Sequence, residues 1–167
     1  MPTNNAINTY IVPTIAREVR MPLQPAFLAF LNAAQNNVTG NAAVYTIHFD
    51  LEIYDQNADY NNGTYTFTSP VTGKYILDAE ISVNDLAAAH TLGTTIIVTS
   101  NRNYQIDQIN IGAVKNVDNA YTACGGTIAD MDAGDTATVT LQISNGILQV
   151  DMQSGGIMNY FCGELLV

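Results

Sequence analysis

An antiparallel β-sandwich or jelly roll is the fold class this sequence predicts, on three observations. Short runs of alternating apolar and polar residues recur along the chain. Turn-forming Gly, Pro and Asn separate them at short intervals, and no helix-period segment stands between them. A composition rich in Thr, Tyr and Val, with 12 Gly, fits strands joined by many turns.

The elements follow in order. Residues 1–21 are Asn-rich at first, then hold Tyr10, Ile11, Val12 and Pro13 and the basic pair Arg17 and Arg20, without a sustained apolar period; they read as an extended arm before a domain at 22–167. Ala26 to Ala34 contains good helix formers, and propensity alone favours a helix there. From Val44 the chain alternates: Tyr45, Ile47, Phe49, Leu51 and Ile53 share one face, which predicts a long strand with that face buried. Thr64 to Thr68 and Lys74 to Val83 read as a hairpin closed by Ser69-Pro-Val-Thr-Gly73. Thr94–Thr99, Tyr104–Ile111, Tyr121–Ile128 and Thr136–Ile143 supply further strands. Asn145-Gly146 predicts a tight hairpin to Ile147–Val150, and a last strand spans Tyr160–Val167. The total is nine or ten strands.

Length and charge narrow the function. At 167 residues the chain fits one domain, and 47% apolar residues suffice for a core. Only 12% of residues are charged, against about 25% in an average globular protein, so neutral polar side chains supply the wet surface. The net charge is -10, and beyond residue 21 only Lys74, Arg102 and Lys115 are positive. Phosphate recognition depends on basic side chains, so nucleic acid is disfavoured as a partner, and anionic membranes with it. No apolar run is long enough for membrane insertion, and Met1 to Tyr10 lacks the pattern of a secretory signal, which leads us to expect synthesis in a cytoplasm. Cys124 and Cys162 are too few for a disulfide scaffold; we expect two reduced, buried strand thiols.

Five stretches, in order, resemble the C1q-like domain of the C1q and tumour-necrosis-factor superfamily. They are Pro25-Ala-Phe-Leu-Ala29; Val44 to Asp55; Tyr65-Thr-Phe-Thr-Ser-Pro-Val-Thr-Gly-Lys-Tyr75; Met131-Asp-Ala-Gly-Asp-Thr-Ala-Thr-Val139; and Phe161-Cys-Gly-Glu-Leu-Leu166. The third is the most specific, being similar to the family's Phe-Thr-Ala-Pro-Val-x-Gly-x-Tyr block. The resemblance implies a ten-stranded, trimer-forming jelly roll and makes Ala26–Leu31 a strand rather than a helix. It implies a homotrimer closed through the sheet that holds the first and last strands, with Phe27, Phe30 and Tyr160 as candidate interface residues. Animal members carry a signal peptide and a collagen stalk, which this sequence does not show, so the resemblance points to the phage, viral or bacterial kind.

Chemistry-bearing motifs are sparse. His48 and His90 are the only histidines, and neither sits in a recognisable nucleophile constellation, so we expect no enzyme and no cofactor. Asp55, Asn57, Asp59 and Asn61 alternate as oxygen ligands of a calcium loop do, but Gly and Glu do not fall where an EF-hand requires them. A solvated turn is the better reading; Asp55, Asn57 and Asp59 stay weak calcium candidates. Two glycosylation sequons, at Asn37 and Asn62, read as chance matches. The expected function is that of a non-enzymatic structural and recognition protein of a virion, a tail fibre, spike or capsid decoration. Its arm, through Tyr10, Ile11, Val12, Arg17 and Arg20, would dock it into the larger assembly, and its head would meet a host-surface glycan or protein. The alternative is a carbohydrate- or protein-binding module of a bacterial surface or secreted protein.

Overall fold

Thirteen strands and one helical turn make up the computed structural model, which describes residues 24–154 and 158–166. In chain order they are β1 (Ala26–Phe30), β2 (Gln35–Thr39), β3 (Val44–Thr46), β4 (Leu51–Gln56), β5 (Tyr60–Asn61), β6 (Thr66–Thr68), β7 (Gly73–Asn84), β8 (Leu92–Thr99), β9 (Asn103–Ile109), α1 (Ile111–Val114), β10 (Tyr121–Met131), β11 (Thr136–Ser144), β12 (Val150–Met152) and β13 (Tyr160–Leu166). The larger sheet runs β2-β12-β7-β13-β1-β4 with β10 on the far side of β7, and the smaller runs β5-β6-β11-β8-β9 with β3 beside β11; all pairings are antiparallel. The expected sandwich is present. The arm at 1–21 lies outside the described residues.

Alternation explains which side chains fill the gap between the sheets. On β7, Tyr75, Leu77, Ala79, Ile81 and Val83 are buried, while on β11 Ala137, Val139, Leu141 and Ile143 face them from the other layer. Aromatic rings close one region of this core. Phe27 stacks on Tyr60 at 5.0 Å and on Phe67 at 4.7 Å, and meets Phe161 edge-on at 5.0 Å. The Tyr60 hydroxyl keeps a partner, donating to the Phe49 carbonyl at 3.0 Å. Asn159, also buried, accepts from Ser82 N–H at 2.6 Å and donates to the Gln153 carbonyl at 2.6 Å.

Four expectations are corrected here. The long strand from Val44 breaks, because β3 pairs with β11 and β4 pairs with β1, so the chain changes sheets through Ile47–Asp50. Ile47 and Phe49 are buried in that passage, whereas Leu51 and Ile53 are 41% and 48% exposed. Neither expected hairpin forms. β6 belongs to the smaller sheet and β7 to the larger, with buried Ser69 held between them by Asp135 and Gly134; likewise β11 and β12 lie in different sheets. Finally, Cys124 is exposed and Cys162 half-buried rather than both being core thiols.

Candidate functional site

Two surfaces stand out, one on a sheet and one at a loop cluster. The first is the outer face of the larger sheet. β1 alternates so that Phe27 and Ala29 point inward and Leu28 and Phe30 outward, and its neighbours continue the pattern. Phe30 lies opposite both Tyr160 on β13 and Leu51 on β4, and Leu28 opposite Cys162 and Tyr54. Farther across, Ile76 on β7 lies opposite Ile128 on β10. Tyr54 and Ile128 remain 49% and 59% exposed, so this face offers water a run of large apolar groups. Such a surface usually marks an interface.

Carboxylates interrupt it. The Tyr160 hydroxyl donates to Asp78 at 3.3 Å; burial, then that negative charge and bond, push its pKa up to about 12. Burial, then Asp78 and Glu164, push the Cys162 thiol up to about 11. Cys124 stands opposite Glu80 and Cys162 opposite Asp78, on strands flanking β7. Two strand spacings of about 4.8 Å separate those strands, too far for a disulfide.

The second surface lies at the opposite end from the chain's described start. Gln24 and Pro25 bond to Leu165 beside the end of β13, which pairs with the beginning of β7. The other end of β7, about 35 Å away at the usual rise per residue, leads into the 85–91 connection. Buried His90 joins the loops there. Its Nδ1 accepts from Ala87 N–H at 2.9 Å, its Nε2 sits 3.3 Å from the Ile147 carbonyl, and its own carbonyl accepts from Gly112 N–H at 2.7 Å. A Cβ on Gly146 would fall 2.0 Å from the ring, so only glycine fits that approach. Around this post a cleft of about 670 Å³ opens between Asn36 and Asn37 on β2, the Asp85–Ala88 segment, Lys115, Asn119, Gln149 and Asp151. Cross-loop bonds fix its walls: Asn37 N–H donates to Asp151 at 2.6 Å, Gln149 to the Asp85 carbonyl at 2.8 Å, and Leu86 N–H to the Asn119 carbonyl at 3.0 Å.

Of the residues singled out in the sequence, Phe30 and Tyr160 do share the outer face. Phe27 does not: its ring is fully covered inside one chain, because β1's alternation turns it into the aromatic core. Asp55 has a local task. Its two oxygens accept from Asp59 and Tyr60 N–H groups at 3.0 Å each, bracing a turn in which Asn57 and Ala58 take left-handed backbones. Asp59 keeps one buried oxygen without a partner among the described residues, and burial, then Asp55, raises its pKa. Among the described residues no group of three or more His, Cys, Asp or Glu is placed to hold a metal. His48 stacks on Tyr65 at 4.1 Å, and burial lowers its pKa against the opposing pull of Asp50. Nothing in the sequence groups the cleft residues: Asn37 stands out there only as a sequon and Lys115 only as a basic residue. Among the described residues no helix is long and apolar enough to cross a membrane.

Known proteins share this fold. Solved structures with the same fold include the globular domain of zebrafish complement 1qA, at TM-score 0.55 and 16% identity over 86% of this chain and 98% of that one. Murine APRIL at pH 8.0 gives TM-score 0.60 and 10% identity over 86% and 99%. Eiger TNF from S. frugiperda gives 0.54 and 12% over 87% and 92%. Identities this low carry the fold alone, and no curated protein matches the sequence. The profile of the C1q domain, however, matches residues 29–166, nearly the whole chain. Trimeric assembly is typical of that family, and enzymatic activity is generally absent from it. The chain belongs to the C1q domain family.

Proposed function

We propose that this protein is a non-enzymatic, homotrimeric recognition head of a phage or viral particle, docked through its N-terminal arm. The observation that carries the reading is the polarity of the domain: the described chain begins beside the end of β13, while the braced loops and their cleft lie at the far end of β7. Loops on a rigid scaffold are where binding residues concentrate. The apolar outer face with Phe30, Tyr160, Leu28 and Ile128 is what three copies would cover around a common axis. The arm supplies an apolar anchor in Tyr10, Ile11 and Val12, and in Arg17 and Arg20 two cations for a carboxylate-bearing docking partner.

The test expresses the full chain and a 22–167 truncation, each tagged, in the host during particle production. The full chain should co-sediment with purified particles, and the truncation should remain a soluble trimer. A full chain absent from particles, or a truncation incorporated equally well, overturns the virion role.

A further inference from the structure

Nothing so far says what the far-end cleft binds, and its chemistry is specific enough to ask. Its volume of about 670 Å³ lies within the range of small-ligand sites. Side-chain amides and two carboxylates dominate its lining, and Leu86, Ala87 and Ala88 are its apolar members. Three of its residues, Asn37, Asp85 and Asn119, hold left-handed backbones at φ 54°, 57° and 59°. Backbones of that kind gather at sites where geometry is preset, and Asn and Asp tolerate them best. A second recess adjoins it across Asn36 and Asp151, and there Asn84 keeps a buried side-chain oxygen that has no partner among the described residues. The cleft is therefore polar and held in shape by bonds between its loops.

We propose that this cleft binds a neutral saccharide, a reading that rests on the recognition-head function above and names its ligand class. Sugar hydroxyls both donate and accept, which suits amides that do the same and carboxylates that only accept. Asp151 spends one oxygen on Asn37 N–H, leaving the other to take a hydroxyl proton, and no described residue bonds to the Asp85 carboxylate. Anionic ligands are opposed by the two carboxylates and the net charge of -10, and the one cation present, Lys115, already donates to Asn119.

The experiment applies the full-length protein to an array of neutral, sialylated and sulfated oligosaccharides, followed by titration of the strongest neutral hit. The variant D85N/D151N keeps residue types that suit the left-handed turn and the Asn37 bond while removing both charges. Neutral oligosaccharides should bind, and the variant should bind at least tenfold more weakly while scattering light as a trimer. A wild-type trimer that binds no neutral oligosaccharide, prefers the charged ones, or loses nothing in the variant overturns the saccharide site and leaves the head reading standing. A monomeric wild type overturns both.

Discussion

Cys162 shows how much of a residue's chemistry is set by what lies across the strand. Its type and its place on a strand were legible from the sequence, but the charges opposite it were not, because they come from β7, some 80 residues earlier. Burial, with Asp78 and Glu164, raises the thiol from 9.0 to about 11, so its folded form keeps its proton. At pH 8 the thiolate fraction should therefore fall about a hundredfold below that of the unfolded chain, and iodoacetamide should modify native Cys162 correspondingly slowly. The sign for stability follows. The folded state is favoured in full below pH 9 and loses this contribution as pH rises through 11, and Tyr160, raised to about 12, adds to the same decline. Melting temperatures should hold to about pH 9 and drop beyond it; a thiol alkylated as fast native as unfolded would contradict the environment described.

Among elements, β1 separates two roles that its five residues interleave. Phe27 stacks with Tyr60 and Phe67, whereas Phe30, three residues on, meets Tyr160 and Leu51 on the outer face. Phe27→Ala should cost about 3–5 kcal/mol in denaturant unfolding of the dissociated subunit, and Phe30→Ala far less there; equal losses in the subunit would contradict the facing of the strand. Other strands show where sequence reading works and where it stops. Alternation found the strands at 73–84, 121–131 and 136–144 because each holds one register over many residues. It misjudged Val44 to Ile53 because the period continued while the chain changed sheets, and a period of two cannot say which sheet it serves. It read Asn145-Gly146 as a hairpin turn, whereas Gly146 is required by the ring of His90, from a loop more than fifty residues away.

For the whole molecule, the fold was legible because five separated blocks agree with one family, while the cleft was not, because its walls come from β2, the 85–91 connection, the loop after α1 and the approach to β12. The central claim is that the outer face of the larger sheet is a subunit interface, and its most direct test is mass in solution. Multi-angle light scattering of the full chain at micromolar concentration should give three times 18.0 kDa. Phe30→Asp, which would bury an unpaired carboxylate against neighbouring subunits, should give a folded monomer with unchanged far-ultraviolet circular dichroism. A wild-type chain that scatters as a stable monomer, or a Phe30→Asp variant that remains trimeric, would contradict the claim.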